Sequence, residues 1–195
     1  RQEAVILVDS FDEWVDVTTL LCHYPATPKP GLAVITNSGA FRGMAYDLCE
    51  RLGLPVADIS DATNERLRPL LPGFAHVGNP LDVTAQTAFQ FDLLGKVIAP
   101  LIADEAVGSL VVAMVGGSGP IPVETARHAI PPIRSSGKPT IYAIFGAGST
   151  LPPELEPMLR AGNIPFSRSP EAAVRAMAHV THYGMALARA AWDNR

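Results

Sequence analysis

Leu110-Val111-Val112-Ala113-Met114-Val115 runs directly into Gly116-Gly117-Ser118-Gly119-Pro120. An uninterrupted apolar run of this length, half of it β-branched and bounded by turn residues, reads as a strand buried on both faces. The glycines mark a tight turn, and residues 122–133 then carry a helical pattern. A second stretch has the same order. Leu32-Ala33-Val34-Ile35-Thr36 enters Asn37-Ser38-Gly39, and Phe41, Met44, Ala45, Leu48 and Leu52 follow at helical spacing. Gly53 stands where a helix C-terminus favours glycine. Strand, glycine turn and helix, met twice, define the βαβ units of a parallel sheet.

The same alternation extends outward. Residues 4–8 are a short apolar run, and Ser10 opens a helix with Glu13 at capping-box spacing. Trp14, Val15, Leu20 and Leu21 are expected on its apolar face, and residues 25–30 form a linker. Strands are expected at 55–59, 140–145 and 164–166, with a short extended piece at 81–84. Helices are expected at 61–71, 87–102 and 153–159, and the helix at 122–133 should be disturbed at Pro131-Pro132. Ser169 caps a last helix with Pro170 at its first position, and Val174, Met177, Ala178, Thr181 and Met185 form its buried stripe. The pattern predicts an α/β, flavodoxin-like fold: a mainly parallel five-stranded sheet of order 2-1-3-4-5 with helices on both faces. A Rossmann half is the alternative. Residues 1–195 read as one domain, with 1–30 supplying an N-terminal strand, helix and linker.

Composition removes several function classes. Of the 195 residues, 48% are apolar and 17% charged, below the usual charged share of about 25%. That deficit implies surface covered by a partner or another domain. No apolar run approaches the roughly 20 residues of a membrane span. The net charge of −4, without a basic run, gives nucleic acid no electrostatic footing. Cys22 and Cys49 lack metal-ligand spacing and read as reduced thiols in a cytoplasmic protein. The start at Arg1 without Met, and the alanine-rich, helical-looking end at 187–192, read as a piece of a longer polypeptide.

In a sheet of this order, ligands bind beyond the carboxyl ends of strands 1 and 3, where strand order reverses. The turns after those strands, 37–43 and 116–120, each lead into a helix. Each should direct unpaired amides and a positive helix end into one crevice. A helix N-terminus favours an anion by about 0.3–1 kcal/mol, and up to about 2 kcal/mol when partly buried. Asn37, Ser38, Gly39, Gly116, Gly117, Ser118 and Gly119 are therefore the candidate binders of phosphate or carboxylate. Arg42, Gly43, Asp82 and Thr84 are secondary candidates, with Asp82 expected to cap the next helix or orient its loop. Neither G-x-G-x-x-G with its acidic partner nor G-x-x-x-x-G-K-[ST] occurs, which disfavours a nicotinamide site and a nucleotide-binding P-loop. His179 and His182, three apart on a helix, have no further ligand at metal spacing and read as surface or interface residues. Spacing supports no catalytic triad, and no metal site or catalytic residue is assigned to this chain.

Ala33-Val34-Ile35-Thr36-Asn37-Ser38-Gly39-Ala40 with Gly43, then Gly78-Asn79-Pro80-Leu81-Asp82-Val83-Thr84, resembles the nucleoside-diphosphate-forming acyl-CoA synthetases. The opening at Val5–Ser10 and the runs 161–165 and 169–176 are similar too, so the resemblance covers nearly the whole chain. It implies the flavodoxin-like ligase domain, related to the carboxyl-terminal part of the succinyl-CoA synthetase β subunit. That family joins a carboxylic acid to CoA through an acyl phosphate and a phosphorylated histidine. Asn37 matches a substrate-contacting asparagine, and Gly117, Ser118 and Gly119 match the loop at a helix end. The resemblance implies ATP or GTP, Mg and CoA for the full-length enzyme, with no cofactor bound by this chain alone. It implies a CoA-binding, phosphohistidine-bearing domain and an ATP-grasp domain as partners, with a small carboxylic acid and phosphate as ligands. No histidine here matches the phosphorylated one, so the isolated chain should be inactive. Phe145-Gly146-Ala147-Gly148 stands where some relatives carry an arginine, which disfavours a di- or tricarboxylate. A regulatory domain of a protein acetyltransferase and a flavin-binding flavodoxin-like module are the alternative readings.

Overall fold

Leu32–Thr36 (β1), Leu81–Asp82 (β2), Ser109–Val115 (β3), Thr140–Phe145 (β4) and Phe166–Ser167 (β5) form one parallel sheet in the order β2-β1-β3-β4-β5. The computed structural model describes residues 5–145 and 150–193. The order is the expected one, and each of the four strand pairings is parallel.

Side chains on β1, β3 and β4 alternate between two cores, as the two-residue strand period requires. Ala33, Ile35, Leu110, Val112, Met114, Tyr142 and Ile144 enter one core. There they meet Asp61–Leu67 (α3), Leu93–Ala103 (α4), Ile121–Ser136 (α5) and Leu155–Ala161 (α6). Leu32, Val34, Val111, Ala113, Ile141 and Ala143 enter the other, under Phe11–His23 (α1), Gly39–Leu52 (α2) and Pro170–Asp193 (α7). Apart from Thr36, Ser109 and Thr140 at their ends, the three strands are therefore apolar because both faces are covered. The helix after β1 covers one face and the helix after β3 covers the other, which makes the β1–β3 boundary the switch point.

Caps follow the sequence closely. Ser10 Oγ accepts from Glu13 N, while the Glu13 carboxylate accepts from Asp9 N rather than from Ser10. Ser38 Oγ accepts from Phe41 N, and Gly53 closes α2 at φ 62°, a left-handed geometry that glycine adopts without Cβ strain. Ser169 Oγ accepts from Ala172 N at the start of α7.

Several expectations need correction. Residues 5–8 form no strand, and Ala4 lies outside the described residues. The buried face of α1 is Val17 and Leu20, with Trp14, Val15 and Leu21 turned outward. Met44 is likewise half exposed on α2. The segment 55–59 is not a strand; it contributes a single bridge, Leu32 to Val56. The 61–71 helix divides into α3 and a 3-10 turn at Arg68–Leu70, where Pro69 cannot continue the α-helical hydrogen bonding. The 87–102 helix begins only at Leu93, after a 3-10 turn at Thr84–Ala88. The last strand is Phe166–Ser167 rather than 164–166. Pro131 and Pro132 lie inside an unbroken α5. Pro132 has no N–H for the carbonyl of His128, four residues back. That carbonyl lies against Gly95 of α4, where a Cβ would collide with it. The close α4–α5 approach thus occupies the position the prolines free.

The β1 edge shows how a two-residue β2 suffices. Leu32 N donates to Pro55 O and Ala57 N to Leu32 O, at 2.8 and 2.9 Å. Further along, Val83 N donates to Thr36 O at 2.8 Å. Between them the Asn79 side chain replaces a strand. Its Oδ1 accepts from Val34 N at 2.9 Å, and its Nδ2 donates to Leu32 O and Ala57 O at 2.8 and 3.0 Å. Asparagine fits because one amide carries both donor and acceptor.

Candidate functional site

The two glycine turns meet above the carboxyl ends of β1 and β3. Thr36 is in register with Ala113, so both chains leave the sheet side by side. Asn37 joins them: its Oδ1 accepts from Val115 N at 2.8 Å. Gly116 N donates to Phe145 O at 2.7 Å, which fixes the second turn against β4. On the α2 side, Phe41 and Phe145 pack with ring centroids 5.4 Å apart and form an apolar wall.

The remaining site residues fall into two sets. Ser38 caps α2 through its hydroxyl, and its own N–H donates to Thr36 Oγ1. Gly39 and Ala40 begin α2 and, among the described residues, their amides have no protein acceptor. Across the crevice, the amides of Gly117, Ser118 and Gly119 donate to no described residue. A Cβ at Gly117 or Gly119 would meet nothing within 4 Å, although Gly119 has a φ of 97°. The start of α5 has no side-chain cap. The two turns thus stand side by side at the carboxyl end of the sheet, each with backbone amides that have no acceptor among the described residues.

The secondary candidates surround the α2 end. Arg42 donates from Nε to Pro80 O at 2.9 Å, so its guanidinium is tied to the turn before β2. Asp82 Oδ1 accepts from Thr84 N at 2.8 Å. That bond orients the loop into the Thr84–Ala88 turn. Asp82 Oδ2 lies beside Gly39, 3.2 Å from the position of a Cβ there. The carboxylate thus opposes part of the positive potential at the α2 end. Thr84 holds φ 58°, a strained conformation for a β-branched residue. Gly43 is exposed on α2 and touches nothing where a side chain would be. Residues 146–148, after β4, lie outside the described residues.

The histidine pair separates. His179 Nε2 lies 3.6 Å from Glu13, and His182 Nε2 lies 3.1 Å from Gly53 O. Among the described residues no group of three or more potential metal-ligating side chains exists. No helix among them is long and apolar enough to cross a membrane.

The sequence reading missed the region behind the second turn. A cavity of about 710 Å³ opens between the start of α5 and residues 152–158, with Gly119 on its rim. The proline pair Pro152-Pro153, just beyond β4, was its available signal.

No family model matches the chain. A trans-feruloyl-CoA synthase from an unknown prokaryotic organism is 35% identical over 182 residues, which are 92% of this chain and 26% of that protein. The ADP-forming acetate–CoA ligase I of Archaeoglobus fulgidus is 28% identical across 97% of this chain and 26% of its own. The chain is homologous to one segment of the NDP-forming acyl-CoA synthetases. It spans about a quarter of the length of these curated synthetases. A Pyrococcus horikoshii OT3 crystal structure superposes with a TM-score of 0.82 at 21% identity, over 95% of this chain and 42% of that one. An acetyl-CoA synthetase of Ca. Korarchaeum cryptofilum, solved with phosphate and ADP, gives 0.78 at 21% identity, over 95% and 39%. These likenesses show the fold, an α/β domain whose parallel sheet has the order β2-β1-β3-β4-β5.

Proposed function

We propose that residues 1–195 are a single ligase domain of an acid–CoA ligase that forms a nucleoside diphosphate. In this reading the crevice between residues 37–43 and 116–119 receives the carboxylic acid and the phosphoryl group. The observation that supports it most is the meeting of two turns that lead into helices on opposite faces of the sheet and whose amides have no acceptor among the described residues. Two helix ends and an uncapped glycine turn suit an oxyanion that carries charge on several oxygens. Gly117 and Gly119 let such a group approach the backbone, where any side chain would intervene.

The rest of the reaction falls to other parts of the enzyme. A CoA-binding domain bearing the phosphohistidine, and an ATP-grasp domain, are the proposed partners. ATP or GTP, Mg and CoA are their ligands. Asn37 holds the β3 turn through Oδ1 and keeps Nδ2 for a ligand oxygen.

Isothermal titration with inorganic phosphate and short carboxylates tests the reading. Binding should weaken at least tenfold in Gly117→Val and in Asn37→Ala. Binding unchanged by both would remove the assignment.

A further inference from the structure

Residues 5–23 carry apolar surface that no described residue covers. Six of the fourteen exposed large hydrophobic side chains among the described residues lie within residues 5–21, and they form one continuous feature. Ile6 and Val8 pack against the core under α1, α2 and α7, while Val5 and Leu7 stand 61% and 77% exposed. Alternation with a period of two is the mark of a strand. Yet residues 5–8 make no backbone hydrogen bond to a described residue, and unpaired strand groups are a template for pairing. On α1, Phe11, Trp14, Val15 and Leu21 face outward. The first two rings already stack, with centroids 5.5 Å apart. The opposite face of the helix is fixed to this chain. Asp16 accepts from Ser167 Oγ at 2.9 Å, and Glu13 lies 3.8 Å from Arg175. The outward stripe therefore has a set orientation.

The other end of the chain shows what such a stripe is suited to. β5, the capping Ser169 and α7 follow the same order as residues 7–8, the capping Ser10 and α1. Phe166 and Ser167 of β5 stand at the same distance before their cap as Leu7 and Val8 before theirs. On α7, the residues 4, 5, 8, 11 and 12 places after the cap are Ala173, Val174, Met177, Val180 and Thr181, all buried. The first four share a core with the β3 and β4 side chains. The same places on α1 hold Trp14, Val15, Thr18, Leu21 and Cys22, all exposed. Residues 5–8 thus have the form of an edge strand, and α1 that of its covering helix, without a sheet beneath. We propose that residues 5–8 and the outward stripe of α1 dock on a second parallel sheet, that of another α/β unit of the same synthetase. Residues 5–8 extend that sheet as its edge strand, and α1 covers its face. A second copy of this chain offers no matching edge. Its outer strands β2 and β5 are two residues each, and its β1 edge is filled by Pro55, Ala57, Asn79 and Val83. The chain spans 26% of the related synthetases, so such an enzyme has ample chain to supply the sheet. The proposal rests on the reading of this chain as one domain of a larger enzyme and adds the surface through which it joins the rest.

Hydrogen exchange of the 195-residue protein and of the full-length synthetase that contains it tests this. In the 195-residue protein the amides of residues 6–8 should exchange at nearly the unstructured rate. In the full-length protein they should be slowed roughly 100-fold or more. Leu7→Glu and Trp14→Glu should each remove that protection in the full-length protein. Both should shift the urea midpoint of the 195-residue protein by less than about 0.2 M. Phe74→Glu, at an exposed aromatic outside the stripe, should leave the protection intact. Equal exchange of residues 6–8 in the two proteins overturns the proposal. So does a large loss of stability in both 195-residue variants, which would assign the stripe to this chain's own core. Protection in the 195-residue protein that rises with concentration, together with a dimer in sedimentation, also overturns it, because a second copy is then the occupant. Acyl-CoA formation by the wild-type full-length protein is scored separately. Its absence would remove the ligase reading and leave the docking surface standing.

Discussion

The edge of β1 and the crevice at its carboxyl end are built from the same strand by opposite rules. Along the edge, backbone groups are paired by Pro55, Ala57, Asn79 and Val83. In the crevice, the amides of Gly39, Ala40, Gly117 and Ser118 find no acceptor among the described residues. The run around Asn79, which marks the chain most distinctively, is spent largely on scaffold. The surface proposed to face a ligand carries few side chains. A recognisable motif can thus identify a fold by what holds it together, while the chemistry lies in backbone that any small residue could supply.

Substitutions on the two sides should behave accordingly. The largest effect is expected at Asp104, which extends the wired region to the amino end of the sheet. Its carboxylate accepts from Ser60 N, Ser60 Oγ, Thr63 Oγ1 and Ala106 N, at 2.6–2.9 Å. Asp104→Ala leaves these donors without their acceptor and should cost about 3–5 kcal/mol in urea unfolding. Burial raises the Asp104 pKa, but the bonds from Thr63, Ser60 and Ala106 outweigh it and hold the carboxyl well below its ordinary value. Its stabilising contribution is therefore complete above the unfolded carboxylate pKa of about 3.9. It is lost as pH falls below that value toward the folded one. Asp104→Asn should flatten the acid limb of the stability curve. Parallel curves for the two proteins would show that Asp104 does not carry it.

Asn79→Ala comes next. It removes the partners of Val34 N and Ala57 O and should cost about 2–3 kcal/mol. A smaller loss, near 0.5 kcal/mol, would mean that water replaces the amide and that the edge is no more tightly wired than the crevice. Gly95→Ala should cost about 1–3 kcal/mol through the clash with His128 O. Gly117→Ala should change stability by less than about 0.5 kcal/mol, since its Cβ meets nothing. A large destabilisation there would show that the turn is scaffold after all.

The sheet was legible because β1, β3 and β4 are apolar on both faces and end at glycine. Ser10 and Ser169 marked helix starts as capping residues, whereas the Ser38 cap emerged only in the structure. Short edge elements were less legible. Residues 55–59 have a strand-like composition, yet they share the β1 edge with Asn79 and Leu81 and retain only one bridge. No local pattern shows that a side chain will replace a strand. Pro131-Pro132 misled because the His128 carbonyl that Pro132 leaves unpaired is accommodated by Gly95, 33 residues before His128. The two glycine turns were visible in the sequence, and Asn37 joins them through its bond to Val115 N. Asp82 beside Gly39 depended on a tertiary contact that spacing did not encode.

The most direct measurement is a phosphate titration read at the backbone amides of the ¹⁵N-labelled protein. The account expects saturable shifts at Gly39, Ala40, Gly117 and Ser118, with Val34 and Ala57 on the wired edge unmoved. Shifts confined to other parts of the molecule, or none at those four amides, would contradict it.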